Sequence, residues 1–224
     1  MAHSGTGHRE RLRARLLAGG DEALADYELL EFLLFASIRQ GDTKPLAKAL
    51  IAHFGSLAAV LSAEPAALQQ VRGMGASSVA ALKAVALAAR RMARITATEK
   101  PLLGSWSALL DYLTIDMAHL PHERVRVLYL DTQNRLVLDH LVSEGSIDEA
   151  AIHPREVIRR AFDVGAAALI LVHNHPSGRA EPSKADIAIT GHIAEAGRLL
   201  GITVHDHVIV GREGCVSLRA RGLL

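Results

Sequence analysis

Ala166-Ala167-Ala168-Leu169-Ile170-Leu171-Val172-His173-Asn174-His175-Pro176-Ser177-Gly178 is the stretch that decides how the second half of this 224-residue chain folds. It begins with an unbroken apolar run that ends at a histidine, the pattern of a short strand buried on both faces. A strand sends residues i and i+2 to the same side, so His173 and His175 project together while Asn174 turns away. Pro176 cannot donate to a ladder and Gly178 permits an unusual turn, so the strand ends there and the chain can open into a cleft. Downstream, Pro182-Ser183-Lys184-Ala185-Asp186 opens a segment through Leu200. Its Ile187, Ile189, Ile193, Ala194, Ala196 and Leu200 fit an amphipathic helix with Asp186 in the first turn.

Two imidazoles and a carboxylate supply three of the four tetrahedral positions of Zn²⁺, and a catalytic site leaves the fourth to water, whose pKa falls toward ~7 on the metal. Two plainer readings stand beside this one. Paired histidines on a strand are often hydrogen-bonded core residues, and Ser183 with Asp186 could be a helix capping box. The Pro, Ser and Asp at fixed offsets favour the metal site.

His173-x-His175-Pro176 followed by Ser183-x-x-Asp186 resembles the metal motif of the JAMM (MPN+) metalloprotease family. With His153-Pro154-Arg155-Glu156 and Asp206-His207-x-Ile209, the segment His173 to Gly178 is similar to the bacterial RadC family over about residues 101 to 224. The resemblance implies one zinc ion per chain, held by His173, His175 and Asp186, and a Ser183 hydroxyl that steadies the oxyanion of a tetrahedral intermediate. It also implies a general-base glutamate just before the first strand, Val125-Arg126-Val127-Leu128-Tyr129-Leu130, which places that role on Glu123. Read without the resemblance, Glu123 is a solvated surface charge. Glu144, beside Gly145 at the end of the second strand, is the rival. Asp139-His140 in the second strand and Asn174 between the histidines bear on the polar surroundings of the site and on substrate choice.

Strict alternation in Val204-His205-Asp206-His207-Val208-Ile209-Val210 puts His205 and His207 on one face, with Val204, Val208 and Val210 beside Asp206 on the other. A second metal there lacks a third local ligand, so His207 is expected to line the cleft or to satisfy a neighbouring carbonyl. Arg155, behind a Pro154 suited to a first helical position, is expected to bind a substrate carboxylate or to pair with Glu156 or Asp163.

The rest of the chain bounds the answer. Half of its residues are hydrophobic, ample for a buried core, and Cys215 is the one cysteine, so no internal disulfide can form and a reducing, cytoplasmic setting is expected. The start, Met1 to Gly5, carries no secretory pattern and no apolar run approaches a membrane span. Residues 1–100 hold 13 Lys+Arg against 9 Asp+Glu, a net +4, and residues 101–224 hold 12 against 15, a net −3, which suggests different partners for the two halves.

Helical spacing runs through the first half at Arg9 to Arg15, Asp21 to Phe35, Thr43 to Phe54, Leu57 to Leu61 and Pro65 to Val71. It closes on Val71-Arg72-Gly73-Met74-Gly75-Ala76, similar to a helix-hairpin-helix motif. Gly73 and Gly75 allow a tight turn with open N–H groups, the next helix points its positive end there, and Lys83 lies within reach, a setting that a DNA phosphate fits. The expected fold is α/β, a mixed MPN/JAMM-like sheet flanked by helices, behind an all-α helix-hairpin-helix domain. The expected boundaries are 1–95 helical, 96–104 linker, with the pattern loss beginning near Ala93, and 105–224 the sheet domain.

Two functions follow from these readings. One is a zinc metallopeptidase acting on a protein or peptide and linked to DNA repair or metabolism. The other is a DNA-binding accessory protein whose N-terminal domain contacts DNA without reading sequence and whose zinc domain is a binding platform. A zinc deaminase fits less well, since Cys215 stands alone. The sequence leaves oligomeric state open.

Overall fold

The computed structural model describes residues 4–20, 23–98, 106–145 and 152–224, and the chain separates into two compact units, Met1–Ala89 and Arg90–Leu224. The first unit is all helix: α1 (Ser4–Ala18), α2 (Asp26–Leu34), α3 (Lys44–Phe54), α4 (Leu57–Ser62), α5 (Pro65–Gln70) and the start of α6 (Ala76–Thr98). Its core gathers Leu30, Leu34, Leu50, Leu68 and Leu82, all fully buried. Burying one such side chain stabilises by roughly 1.5–3 kcal/mol. Local chemistry sets the breaks between helices. Gly55, at φ +95°, ends α3 in a backbone region that side chains disfavour, and the Ser56 hydroxyl then caps α4 by accepting the Ala59 N–H.

Two expectations change here. The helix expected from Asp21 starts at Asp26, and Asp21 itself lies outside the described residues. The stretch read as losing its helical pattern from Ala93 is helical through Thr98. Ala93 to Ala97 are compatible with a helix, and Ala97 is fully buried in the core of the second unit, so packing carries the helix past the point where composition alone suggests a break. The remainder of the expected linker, 99–104, lies outside the described residues.

The second unit continues with α7 (Trp106–Met117), β1 (Glu123–Leu130), β2 (Leu136–Gly145), α8 (Pro154–Asp163), β3 (Ala168–Asn174), α9 (Lys184–Leu199), β4 (Thr203–Gly211) and β5 (Gly214–Ser217). The five strands form one mixed sheet in the order β2-β1-β3-β4-β5, with β3 and β4 parallel and the other pairs antiparallel. Parallel neighbours need a crossover connection, and α9, between β3 and β4 in the chain, provides it. Every residue of β3 is buried, as the apolar run requires.

Alternation along the strands divides the core in two. Leu128, Leu130, Ile170, Val172, Val208 and Val210 pack with α7. Val127, Tyr129, Leu169 and Leu171 pack with Val157 and Ile158 of α8 and Ile193 of α9. Val204 belongs to this second cluster, not to the face of Val208 and Val210. The register explains it: Leu169 faces Val204 and Ile170 faces Asp206, so β4 carries one extra residue, His205, and strict alternation fails at that bulge. Among the described residues no helix is long and apolar enough to cross a membrane.

Candidate metal centre

The site forms where β3 ends against the first turn of α9. His173 is the penultimate residue of β3, on the sheet face that α8 and α9 cover, and it is 1% exposed. His175 follows the strand end. Its backbone N–H donates to Val210 O at 2.9 Å, its ring Nδ1 donates to Arg179 O at 3.0 Å, and a carbonyl can only accept, so Nε2 is left for the cleft. The loop behind it is closed by Gly178 at φ +92°, where a Cβ would lie 2.6 Å from the Arg212 guanidinium that donates to Ser177 O. Asp186 enters through the start of α9. The Ser183 N–H donates to Asp186 Oδ2 at 2.7 Å and the Asp186 N–H donates to Ser183 Oγ at 3.1 Å, a reciprocal capping box that fixes the carboxylate.

His173 Nε2 is 2.9 Å from His175 Nε2 and 3.4 Å from Asp186 Oδ1, and His175 Nε2 is 3.7 Å from Asp186 Oδ2. Tetrahedral zinc with bonds of ~2.0–2.2 Å holds its ligand atoms roughly 3.3 Å apart. The donor set and its spacing therefore fit a divalent zinc ion, and His173, His175 and Asp186 are the one group of three or more potential ligands among the described residues.

For His173 and Asp186 the electrostatics favour the ligand forms. Burial lowers the pKa of His173 to about 4, keeping it neutral at pH 7. Burial alone would raise Asp186, but the adjoining His175 and His173 rings and the hydrogen bond from the Ser183 N–H hold it well below the usual carboxylate range. The adjoining Asp186 carboxylate raises His175 against the opposing effect of burial, which works against its neutral form.

Glu123 and Ser183 line the same cleft of about 560 Å³ as His173, His175 and Asp186. Burial raises the Glu123 pKa; His175 opposes the shift and the charge of Asp186 adds to it. Glu144 is engaged elsewhere. Its carboxylate takes hydrogen bonds from Arg124 and from His122 at 2.6 Å, and the Arg124 bond above all lowers its pKa.

Asn174 turns away from the histidines, as the alternation requires, and is fully buried. Its Nδ2 donates to His122 O at 3.1 Å and its Oδ1 accepts the Arg124 N–H at 2.9 Å. It therefore grips the backbone on both sides of Glu123. His207 does not reach the cleft; it is fully buried behind His173, with its Nε2 2.8 Å from His173 Nδ1. Asp139 lies on the α7 side, bound by Arg126 and Tyr112, so it does not shape the cleft. Arg155 is 84% exposed and pairs with Glu156 at 3.5 Å.

Sequence reading missed Thr190, whose hydroxyl lies 2.6 Å from His207 Nδ1; its one available signal was its position a helical turn after Asp186. In the first unit, Gly73 sits at φ +99° in the turn between α5 and α6, and Gly75 has open space where a Cβ would stand. The Lys83 ammonium donates to Leu61 O at 3.0 Å.

Residues 103–223 match the family described as RadC-like JAB domain, and residues 6–80 match UPF0758 N-terminal. A "UPF0758 protein" of Rhodobacter capsulatus is 50% identical over 213 residues, which cover 95% of this chain and all of that relative. With more than half of its length in the first match and the cluster of His173, His175 and Asp186 inside it, this chain belongs to the RadC-like JAB domain family.

Proposed function

We propose that the chain is a zinc-dependent metallopeptidase of JAMM type that hydrolyses an amide bond in a protein or peptide. The observation that carries this reading is the convergence of His173, His175, Asp186, Glu123 and Ser183 on one cleft. Bound there by the two histidines and Asp186, zinc supplies Lewis acidity that activates water and polarises a carbonyl.

The chain's own residues do the remaining work. Glu123 takes a proton from the attacking water as its oxygen bonds to the carbonyl carbon, then returns that proton to the nitrogen as the C–N bond breaks. Its half-buried place, which makes protonation easier than for a free carboxylate, suits that shuttle. Ser183 Oγ already accepts the Asp186 N–H, which leaves its own proton to donate to the oxyanion. Apolar walls from Val125, Ile152 and Ile189 exclude water around the reacting bond.

Zinc per chain by elemental analysis tests the site, on protein purified without a metal-affinity tag. The expected result is close to one for the natural chain and close to none for the double variant His173→Ala, His175→Ala. A natural chain that takes up no zinc when it is offered defeats this function.

The second reading, DNA contact through the first unit in the service of DNA repair or metabolism, is supported by the Gly73 turn leading into α6 and by the basic excess of residues 1–100. Gly75→Ala is the clean probe, since its methyl group enters open space and leaves the fold intact. If phosphate approaches that backbone, the variant weakens DNA binding at every salt concentration; unchanged affinity removes the turn from any such role.

A further inference from the structure

Behind the metal cluster a buried chain of polar groups runs from the main-chain carbonyl of Asp186 through Thr190 and His207 to His173. Thr190 and His207 are both fully buried, and His173 is nearly so. Thr190 Oγ1 donates to Asp186 O, one turn back along α9. A carbonyl oxygen has no proton to give, so the single hydroxyl proton of Thr190 is committed to it. The Thr190 oxygen, 2.6 Å from His207 Nδ1, therefore accepts from that nitrogen.

A neutral imidazole carries one N–H and one lone pair. With its proton on Nδ1, His207 has a bare Nε2, which accepts from His173 Nδ1 at 2.8 Å. His173 then holds its proton on Nδ1 and presents the lone pair of Nε2 toward Asp186 and His175. The direction of every bond in the chain follows from the one carbonyl at its end.

We infer that Thr190 and His207 are positioning residues that set the tautomer and ring orientation of His173, so that its Nε2 faces the metal as a lone pair. This rests on the metal-site reading above. It goes further in assigning the buried side of the site and the polarity of its hydrogen bonds. Partners of this kind, which orient a ligand without touching the metal, typically change affinity by about 10–100-fold when removed. Valine in place of Thr190 matches its shape and removes the hydroxyl, so His207 loses the acceptor that fixes its tautomer. Its Nε2 can then carry the proton and donate to His173 Nδ1, which places the His173 proton on the metal side.

Zinc affinity measured by competition with a chromogenic chelator, on the full chain, is the first readout. Thr190→Val is expected to bind zinc about 10–100-fold more weakly, and Thr190→Ser, which keeps the hydroxyl, to stay near the natural value. The second readout needs no metal: long-range proton–nitrogen correlation spectra of the chelator-treated protein should show His173 protonated on Nδ1 in the natural chain and in Thr190→Ser, and no longer so in Thr190→Val. Weak zinc binding by the natural chain with the Nδ1 tautomer in place would sink the metal reading and keep the relay. An Nε2-protonated His173 in the natural chain, or a Thr190→Val that binds zinc as tightly as the natural chain, overturns the relay.

Discussion

On the α7 side of the sheet Arg126 meets Asp116, Asp139 and the hydroxyl of Tyr112; on the α9 side His173, His175 and Asp186 meet one another. Both clusters remove polar groups from water, which costs free energy unless partners replace the solvent. The first is closed, because one guanidinium supplies donors to both carboxylates and to the phenol. The second presents two ring nitrogens and a carboxylate to a cleft, all of them able to accept and short of donors. Buried polar groups that satisfy one another hold a fold together, whereas lone pairs that converge need a cation from outside. That contrast separates a structural cluster from a candidate site within a single sheet.

Glu123→Gln probes the open side with the largest expected effect. Amide hydrolysis should fall by about 10²–10⁴-fold with zinc content unchanged, because in the proposed mechanism this carboxylate carries the proton and binds no metal. Glu144→Gln is the matched control, and its activity should stay near that of the natural chain, since Arg124 and His122 occupy that carboxylate. A comparable loss in both variants would erase the distinction between the two glutamates.

Arg126→Met tests the closed side. Removing the cation strands two carboxylates and should destabilise the second unit by about 3–5 kcal/mol. Urea unfolding followed by the fluorescence of Trp106, the one tryptophan of the chain and packed against the α7 cluster, reads this change. An unchanged midpoint would show that the network does not hold α7 to the sheet.

The smallest expected effect concerns a tyrosine on the α8 and α9 side. Burial pushes the Tyr129 phenol up to about 12, and its hydroxyl donates to Val157 O at 3.1 Å. The folded value lies above the ordinary 10, so this contribution is complete below pH 10 and is lost as pH rises through about 12. Stability should therefore fall by about 1.4 kcal/mol per pH unit across that window, relative to Tyr129→Phe. Parallel pH curves for the two proteins would mean that the phenol ionises freely in the folded state.

Much of this was readable along the chain. The apolar run into His173, the i and i+2 pair of histidines, and the Ser183 cap with Asp186 one turn inside α9 are local patterns, fixed by strand and helix periodicity and by capping chemistry. The extent of α6 was not readable, because the burial of Ala97 overrides a weak composition signal. The faces of β4 were not readable either, because a bulge shifts the alternation by one residue and nothing in Val204 to Val210 announces it.

The sequence by itself determined which residues could bind a metal and on which side of their own strand or helix they lie, since a side chain's direction follows from the backbone period within a few residues. The tertiary structure alone decided their partners. Strand register brings Val125 opposite His173, and so carries Glu123 into the cleft while Arg124 and His122 take Glu144 away. The packing of α9 on β4 sets Thr190 against His207 and His207 behind His173. Those contacts join residues 17 to 48 positions apart. They depend on sheet order and helix packing, which no local pattern contains.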